Sequence, residues 1–173
     1  ICVQRQEVTS LKVIVFSDSH GDLNHMIAAV EQEEPDLVLH LGDYWEDARE
    51  LSWMYPELAI EQVPGNCDWQ PDAPLERVLT LEGCRITFCH GHSRGVKQSY
   101  RALTHLGQDT EAAMVLCGHT HQVHYEKRGS LHVLNPGAVG RNPPTYGVLQ
   151  VEQGKIKGKI KRVFSEEDII CFC

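Results

Sequence analysis

The sequence lacks any long hydrophobic run, since no apolar stretch approaches the ~20 residues that a membrane-spanning helix needs. It also lacks a basic surplus, because 16 Lys and Arg face 24 Asp and Glu for a net charge of −8. We therefore expect neither a membrane partner nor a stable nucleic-acid complex. The first ten residues show no signal-peptide pattern, which predicts a cytoplasmic protein.

The cysteines give no sign of a disulfide framework. There are seven of them, an odd number. Cys84, Cys89 and Cys117 lie in or beside apolar runs, which is typical of reduced, buried thiols. Cys171 and Cys173 are too isolated to predict a zinc site, and the sequence leaves open whether the apolar tail 169–173 docks on the body or on another subunit.

The length of 173 residues and a hydrophobic content of 42% fit one domain over residues 1–173, with residues 1–10 as a flexible N-terminal extension. The hydrophobic pattern predicts strands and helices in alternation over the first half of the chain. Predicted strands cover 11–16, 36–41, 58–63, 77–83, 85–90, 112–117 and 131–135, then a hairpin over 146–163. Predicted helices cover 25–34, about 47–56 and 96–109. This order predicts an α/β domain with two mixed sheets packed face to face and helices outside.

Five predicted strands are followed directly by side chains of the types that bind metals. Each motif alone is ordinary, because Gly-Asp and Gly-Asn are common turn sequences and paired histidines often lie on a surface. Ligands bind at the carboxyl ends of strands in open α/β sheets, so these side chains are expected to meet there. In chain order they are Asp18 and His20, Asp43, Asn66, His90, and His119 with His121.

The ordered motifs SDSHG, HLGD, GNCD, HGHSRGVK, CGHTH and NPGA, spanning about residues 11–164, resemble those of the calcineurin-like metallophosphoesterase superfamily. The compact form is similar to its small bacterial and archaeal phosphodiesterase branch, whose fold the retromer scaffold subunit Vps29 shares. The resemblance implies a four-layer α/β/β/α sandwich of two mixed β-sheets flanked by helices. It also implies hydrolysis of phosphate esters.

The resemblance implies two divalent metal ions per chain. Asp18, His20, Asp43 and His121 would hold the first, and Asp43, Asn66, His90 and His119 the second. Alternate residues of an extended chain point alike, so His119 and His121 are expected to face the site together, one for each ion. Nitrogen and oxygen ligands suit Mn²⁺, our first expectation, with Ni²⁺, Fe²⁺, Co²⁺ and Zn²⁺ as alternatives. Asp43, Asn66 and His90 are the implied catalytic residues, acting through a metal-bridging hydroxide that attacks phosphorus.

Five further residues allow two interpretations. Cys67 stands where many superfamily members have a histidine, and its thiol is a poor general acid, so it is either a packed thiol or, less favoured, a nucleophile. Asp68 either orients a metal ligand or caps a turn. His92 and Arg94 either contact a substrate phosphate or are ordinary surface residues. Asn135 either closes one side of the site or forms a plain turn.

These observations favour a metal-dependent phosphodiesterase acting on a small-molecule phosphate ester. One alternative is a phosphomonoesterase or nucleotide hydrolase with the same chemistry. A second alternative is a Vps29-like interaction scaffold with a vestigial or structural metal site. The completeness of the ligand set favours the enzyme. The sequence leaves the oligomeric state open, including a homo-oligomer.

Overall fold

The computed structural model describes residues 10–69 and 72–173. The predicted N-terminal extension therefore lies outside the described residues, apart from Ser10. The elements are β1 (Leu11–Phe16), α1 (Leu23–Glu33), β2 (Leu37–His40), α2 (Trp45–Met54), β3 (Ala59–Gln62), β4 (Glu76–Leu81), β5 (Cys84–Cys89), a 3-10 helix (His92–Arg94), α3 (Arg101–Asp109), β6 (Met114–Leu116), β7 (Val123–Arg128), β8 (Leu131–Pro136), β9 (Thr145–Glu152), β10 (Lys155–Arg162) and β11 (Asp168–Phe172).

The strands form two mixed sheets. The six-stranded sheet has the order β11-β10-β9-β1-β2-β3, and the five-stranded sheet has the order β4-β5-β6-β8-β7. β1 is central, parallel to β2 and antiparallel to β9. Both of its faces are covered, so its continuous apolar run from Val13 to Phe16 is fully buried.

Three hydrophobic cores separate four layers. Leu39, Phe88 and Leu116 belong to the core between the two sheets. On the outer side of the six-stranded sheet, Met26 of α1 and Leu51 of α2 share a second core with β1 and β9. A third core joins α3 to the five-stranded sheet. The predicted α/β/β/α sandwich is therefore confirmed.

The parallel pairings bring the important loops to one end of the sandwich. β1, β2 and β3 run parallel in one sheet, and β5, β6 and β8 run parallel in the other. The carboxyl ends of neighbouring parallel strands lie at the same edge of a sheet. All five predicted ligand motifs follow strands of these two groups.

Two strands were not predicted. β7 is an edge strand of half-buried and exposed residues, without a clear apolar alternation. β11 is formed by the tail, which pairs antiparallel with β10; the tail therefore packs on the body of this chain. The six cysteines within the described residues are free thiols. No helix in the described part of the chain is both long and apolar enough to cross a membrane.

Candidate metal centre

The predicted ligands converge on one place between the carboxyl ends of the two sheets. One group has ligand atoms that all lie within 4.8 Å of one another, and a second, smaller group meets the same criterion. The Asn66 Oδ1 atom adds an amide oxygen 3.2 Å from His90 Nε2. Asp43 belongs to both groups. The first group is Asp18, His20, Asp43 and His121; the second is Asp43, His90 and His119.

Asp18 has a carboxylate oxygen that lacks a hydrogen bond. Its Oδ2 accepts hydrogen bonds from Ser17 Oγ at 2.5 Å and from the backbone N–H of His119 at 3.0 Å. Its Oδ1 is buried and has no hydrogen-bond partner among the described residues. The Nε2 atom of His121 is 3.0 Å from Oδ1, but the two are not aligned for a hydrogen bond. A buried carboxylate oxygen left without a donor is costly, and a cation would satisfy it.

The His90 imidazole is oriented to offer a lone pair to the site. Its Nδ1 lies 2.8 Å from the backbone carbonyl oxygen of Leu41, which can only accept, so Nδ1 carries the proton. Nε2 is then unprotonated in the neutral ring, and it lies 3.2 Å from Nδ1 of His119. His20 and His121 meet similarly, with their Nε2 atoms 3.3 Å apart. Ring nitrogens that converge beside carboxylates, with a backbone carbonyl fixing one tautomer, fit a divalent cation.

The backbone at this end of the sandwich is strained. Five of the seven predicted ligands have left-handed backbone conformations, although none is glycine, and such strain is concentrated at functional sites. The expectation that His119 and His121 lie in an extended segment was therefore wrong. The two residues do belong to different groups. The φ angles are 55° for Asp18, 48° for His20, 59° for Asp43, 68° for His119 and 60° for His121.

Two glycines let these loops approach each other closely. A Cβ atom at Gly118 would collide with the side chains of Ser17 and Asp18. A Cβ atom at Gly65 would collide with the Asp43 carboxylate. The glycines in the motifs therefore provide space for neighbouring ligands, and do not serve only to turn the chain.

Asp68 joins the loop after β3 to the loop after β2. Its Oδ2 accepts the backbone N–H of Asp43 at 2.9 Å and that of Gly65 at 2.8 Å. Its Oδ1 accepts the N–H groups of Tyr44 and Trp45, at 2.8 and 2.7 Å, where α2 begins. Asp68 thus fixes the backbone that carries Asp43, and its four hydrogen bonds all go to backbone N–H groups.

The environment of Asp43 favours its ionised form. Burial alone would raise the pKa of this carboxyl group, but His90 and hydrogen bonding by Cys67 outweigh burial and lower the pKa. The backbone N–H of Cys67 donates to Asp43 Oδ1 at 3.0 Å. A carboxylate that stays ionised is the form that binds a cation.

Asn135, near the end of β8, supports the loop of His119 and His121. Its side-chain amide nitrogen lies 2.8 Å from the carbonyl oxygen of Gly118 and 3.0 Å from Thr120 Oγ1. Its Oδ1 accepts the N–H of Gly137 at 3.0 Å. All of these contacts involve buried or half-buried atoms, so Asn135 positions the loop from behind.

Cys67 and His92 both lie beside the predicted ligands. Burial raises the pKa of the Cys67 thiol, and the charge of Asp43 raises it further. The His92 ring lies 5.4 Å from the ring of His90 and 6.1 Å from that of His119. Burial and the neighbouring His90 lower the pKa of His92. Both side chains therefore favour their neutral forms.

The guanidinium group of Arg94 is already paired with a carboxylate, so it is not free to bind a substrate phosphate. Its Nε and Nη2 atoms donate to the two carboxylate oxygens of Glu76, at 2.5 and 2.7 Å. A phosphate would have to displace this bidentate pair. The sequence gives no sign of the pairing, because Glu76 lies in β4, 18 positions before Arg94.

Several supporting residues escaped the sequence reasoning. The hydroxyl of Ser17 donates to Asp18 Oδ2. The hydroxyl of Ser19 lies 2.9 Å from Nε2 of His40, whose Nδ1 accepts the N–H of Gly42. Tyr44 is 46% exposed, and its ring stands 5.9 Å from that of His20 at the rim of the site. The serines flanking Asp18 in SDSH and the histidine in HLGD were the available signals.

Comparison with known proteins shows the family of this chain. The sequence profile of the Calcineurin-like phosphoesterase superfamily domain matches residues 11–154. Phosphodiesterase YfcE of Escherichia coli K12 is 37% identical over 168 residues, covering 80% of this chain and 87% of YfcE.

Two solved structures show the same fold. A predicted phosphoesterase from Streptococcus pneumoniae has a TM-score of 0.76 at 26% identity, covering 95% of this chain and 98% of that one. Vps29 of Entamoeba histolytica, complexed with zinc, has a TM-score of 0.75 at 18% identity, covering 94% and 97% of the two chains.

The fold and the convergent ligand-type side chains are those expected of the metallophosphoesterase family. The chain belongs to the calcineurin-like phosphoesterase superfamily.

Proposed function

We propose that this protein is a metal-dependent phosphodiesterase. The observation that carries the proposal is the convergence of the ligand-type side chains around a buried Asp18 oxygen, for which the described part of the chain provides no hydrogen-bond donor. The similarity to phosphodiesterase YfcE supports the same reaction class. The substrate is expected to be a small-molecule phosphodiester.

The residues favour two divalent cations, with Asp43 shared between them. Asp18, His20, Asp43 and His121 would hold one ion; Asp43, Asn66, His90 and His119 would hold the other. Oxygen and nitrogen donors without a thiolate suit Mn²⁺ and the neighbouring transition metals. When bound, two such cations supply positive charge for a phosphoryl group and lower the pKa of water to near neutrality.

The protein groups around the ligands have positioning roles in this proposal. Asp68 holds the backbone of Asp43, and Asn135 holds the loop that carries His119 and His121. Because ligand orientation sets both metal affinity and reactivity, these contacts are part of the working site. Burial and the charge of Asp43 raise the pKa of Cys67 and favour a protonated thiol, which speaks against a nucleophile. The side chain is exposed, so Cys67 is not a packed thiol either.

The interaction-scaffold alternative rests on the shared fold with Vps29, at 18% identity. The complete set of ligand types in this chain favours the enzyme over the scaffold. Hydrolysis of a phosphomonoester or a nucleotide would use the same residues as hydrolysis of a phosphodiester. These activities therefore differ only in the substrate.

The test is hydrolysis of bis-p-nitrophenyl phosphate by metal-stripped protein, before and after addition of Mn²⁺, Ni²⁺ or Zn²⁺. We expect turnover only with metal, and faster turnover than with p-nitrophenyl phosphate. Faster hydrolysis of the monoester would support the phosphomonoesterase instead. Metal binding without hydrolysis of either ester would favour the scaffold.

A further inference from the structure

A groove of about 530 Å³ lies beside the loop that carries Asp18 and His20. Its walls come from the start of α1, the segment 140–144 before β9, and residues 162–165 at the end of β10. The segment before β9 is bonded to the site loop, because the N–H groups of Val139 and Gly140 donate to the carbonyl oxygens of Ser17 and Asp18. The volume falls within the range of roughly 300–1,000 Å³ that is typical of small-ligand sites.

Two arginines line this groove without a partner. The side chains of Arg141 and Arg162 are exposed and make no hydrogen bond or ion pair with any described residue. By contrast, five other arginines each pair with a glutamate: Arg49, Arg77, Arg85, Arg94 and Arg128. A guanidinium group offers several donors in one plane and suits a phosphate.

The acidic group in the groove does not neutralise these arginines directly. Asp22 lies 2.8 Å from Nδ1 of His25 and also accepts the backbone N–H of that residue. The same Nδ1 is 3.0 Å from the carbonyl oxygen of Val139. His25 is thus held by two neighbours, and the carboxylate of Asp22 is engaged at the start of α1.

The exposed ring of Phe164 packs against the His25 ring. Phe164 is 74% exposed, and its ring contacts that of His25 edge to face, with centroids 5.7 Å apart. Its φ angle of 60° is left-handed, which is strained for a phenylalanine. An exposed, strained aromatic residue beside unpaired arginines offers a flat face for stacking a planar ring.

We propose that this groove binds a nucleoside phosphate, with the phosphate on Arg141 and Arg162 and the base stacked on Phe164. A nucleotide combines the two chemistries that the groove offers, an anion and a planar heteroaromatic ring. The groove shares no residue with the ligand groups of the metal centre, so binding of a nucleotide there does not rest on the proposed phosphodiesterase function.

The first test measures AMP binding to metal-stripped protein by calorimetry, so that metal ions cannot capture the phosphate. We expect affinity for AMP to fall about tenfold or more in the double variant Arg141→Gln/Arg162→Gln and in Phe164→Asn, which tolerates the left-handed backbone. Arg101→Gln is the matched control, because the Arg101 side chain on α3 is also exposed and has no hydrogen bond or ion pair among the described residues. Unchanged AMP affinity in the groove variants, or no AMP binding by the wild type, would overturn the inference.

The second test separates the groove from the metal-dependent reaction. With metal added, kcat/KM for bis-p-nitrophenyl phosphate should change by less than about twofold in the groove variants, because the groove shares no residue with the ligand groups. A fall of about tenfold or more would place the arginines in the metal-dependent site and overturn the assignment of a separate nucleotide site. A wild type that binds AMP but does not hydrolyse bis-p-nitrophenyl phosphate would contradict the proposed function and leave the nucleotide site standing.

Discussion

The molecule carries two clusters of polar side chains that are buried or partly buried, and they differ in whether the protein satisfies its own polar atoms. The closed cluster consists of Lys12, Glu33, Tyr146 and Lys161, on the outer side of the six-stranded sheet. The open cluster consists of Asp18, His20, Asp43, His90, His119 and His121, at the carboxyl ends of the strands.

In the closed cluster the Glu33 carboxylate has all the donors it needs. Lys161 Nζ donates to Oε1 at 2.5 Å, Tyr146 donates to the same oxygen at 3.0 Å, and Lys12 Nζ is 3.5 Å from Oε2. Burial would raise the pKa of Glu33, but these contacts outweigh burial and lower it. In the open cluster, Asp18 Oδ1 has no such donor. A satisfied buried network stabilises a fold, whereas an unsatisfied one marks a place where a ligand completes the structure.

The largest expected effect comes from removing the shared carboxylate of the open cluster. Asp43→Ala should lose both metal ions and reduce diester hydrolysis to the uncatalysed rate, because Asp43 belongs to both ligand groups. Steady-state hydrolysis of bis-p-nitrophenyl phosphate measures this loss. Asp109→Ala, an exposed position on α3, is the control and should keep full activity. Near-normal turnover by Asp43→Ala would contradict the two-ion site.

Breaking the closed cluster should affect stability and leave catalysis intact. Lys161→Met leaves Glu33 buried with only Lys12 and Tyr146, and removing one partner of a buried pair costs about 3–5 kcal/mol. Urea unfolding of the metal-free protein measures the change. The double variant Glu33→Leu/Lys161→Met should recover most of the lost stability. A fall in metal-dependent turnover under folded conditions would mean that the two clusters are coupled.

The third prediction concerns pH and His40, which lies behind the open cluster. Burial lowers the pKa of His40 from 6.5 to about 4 in the folded protein. The unfolded chain therefore binds more protons between these two pH values, so stability is complete above pH 6.5 and falls as the pH drops towards 4. The loss from this residue amounts to about 3 kcal/mol at most.

Comparing wild type with His40→Asn isolates this contribution, because other groups titrate in both proteins. The difference in unfolding free energy between the two proteins should change with pH from 7 to 4.5 in metal-free buffer. A difference that stays constant over this range would show that His40 is not held neutral by burial.

Asp68→Asn should weaken metal binding by the open cluster, because Asp68 holds the backbone that carries Asp43. The substitution leaves one acceptor oxygen where the carboxylate receives four N–H groups. We expect metal affinity or kcat/KM to fall roughly 10- to 100-fold, as for other groups that orient ligands. Titration of metal into stripped protein separates the affinity from the rate. Wild-type affinity and rate in this variant would limit Asp68 to a turn-capping role.

The smallest effect is expected for Arg94, which the structure pairs with Glu76. Arg94→Gln should change KM for bis-p-nitrophenyl phosphate by less than about twofold, because an engaged guanidinium gives little to substrate binding. Glu76→Gln is the matched variant that frees the arginine. A large rise in KM for Arg94→Gln alone would restore the substrate role that the sequence suggested.

The sequence predicted the elements that have strong local patterns. The continuous apolar runs of β1 and β2 and the hairpin at Gly154 carry their own signals, and the two-sheet sandwich followed from their order. The edge strands β7 and β11 escaped because their residues are exposed on one or more sides and show no regular alternation.

In the candidate site, too, local features could be predicted from the sequence and long-range contacts could not. Ligand-type residues after strands were visible in the sequence because strand ends are local features. The partners that orient them were not visible, since Asp68 contacts loops more than 20 positions away. The pairing of Arg94 with Glu76 of β4 was hidden for the same reason. The left-handed conformations of His119 and His121 were also hidden, because packing against neighbouring loops imposes them. Long-range contacts of this kind leave no periodicity in a single sequence.

The most direct test of the difference between the two clusters is metal content per chain, measured by elemental analysis after dialysis against Mn²⁺. Wild type and Lys161→Met should each retain two ions, and Asp43→Ala should retain none. Absence of metal from the wild type, or two ions retained by Asp43→Ala, would contradict the account of the open cluster as the metal site.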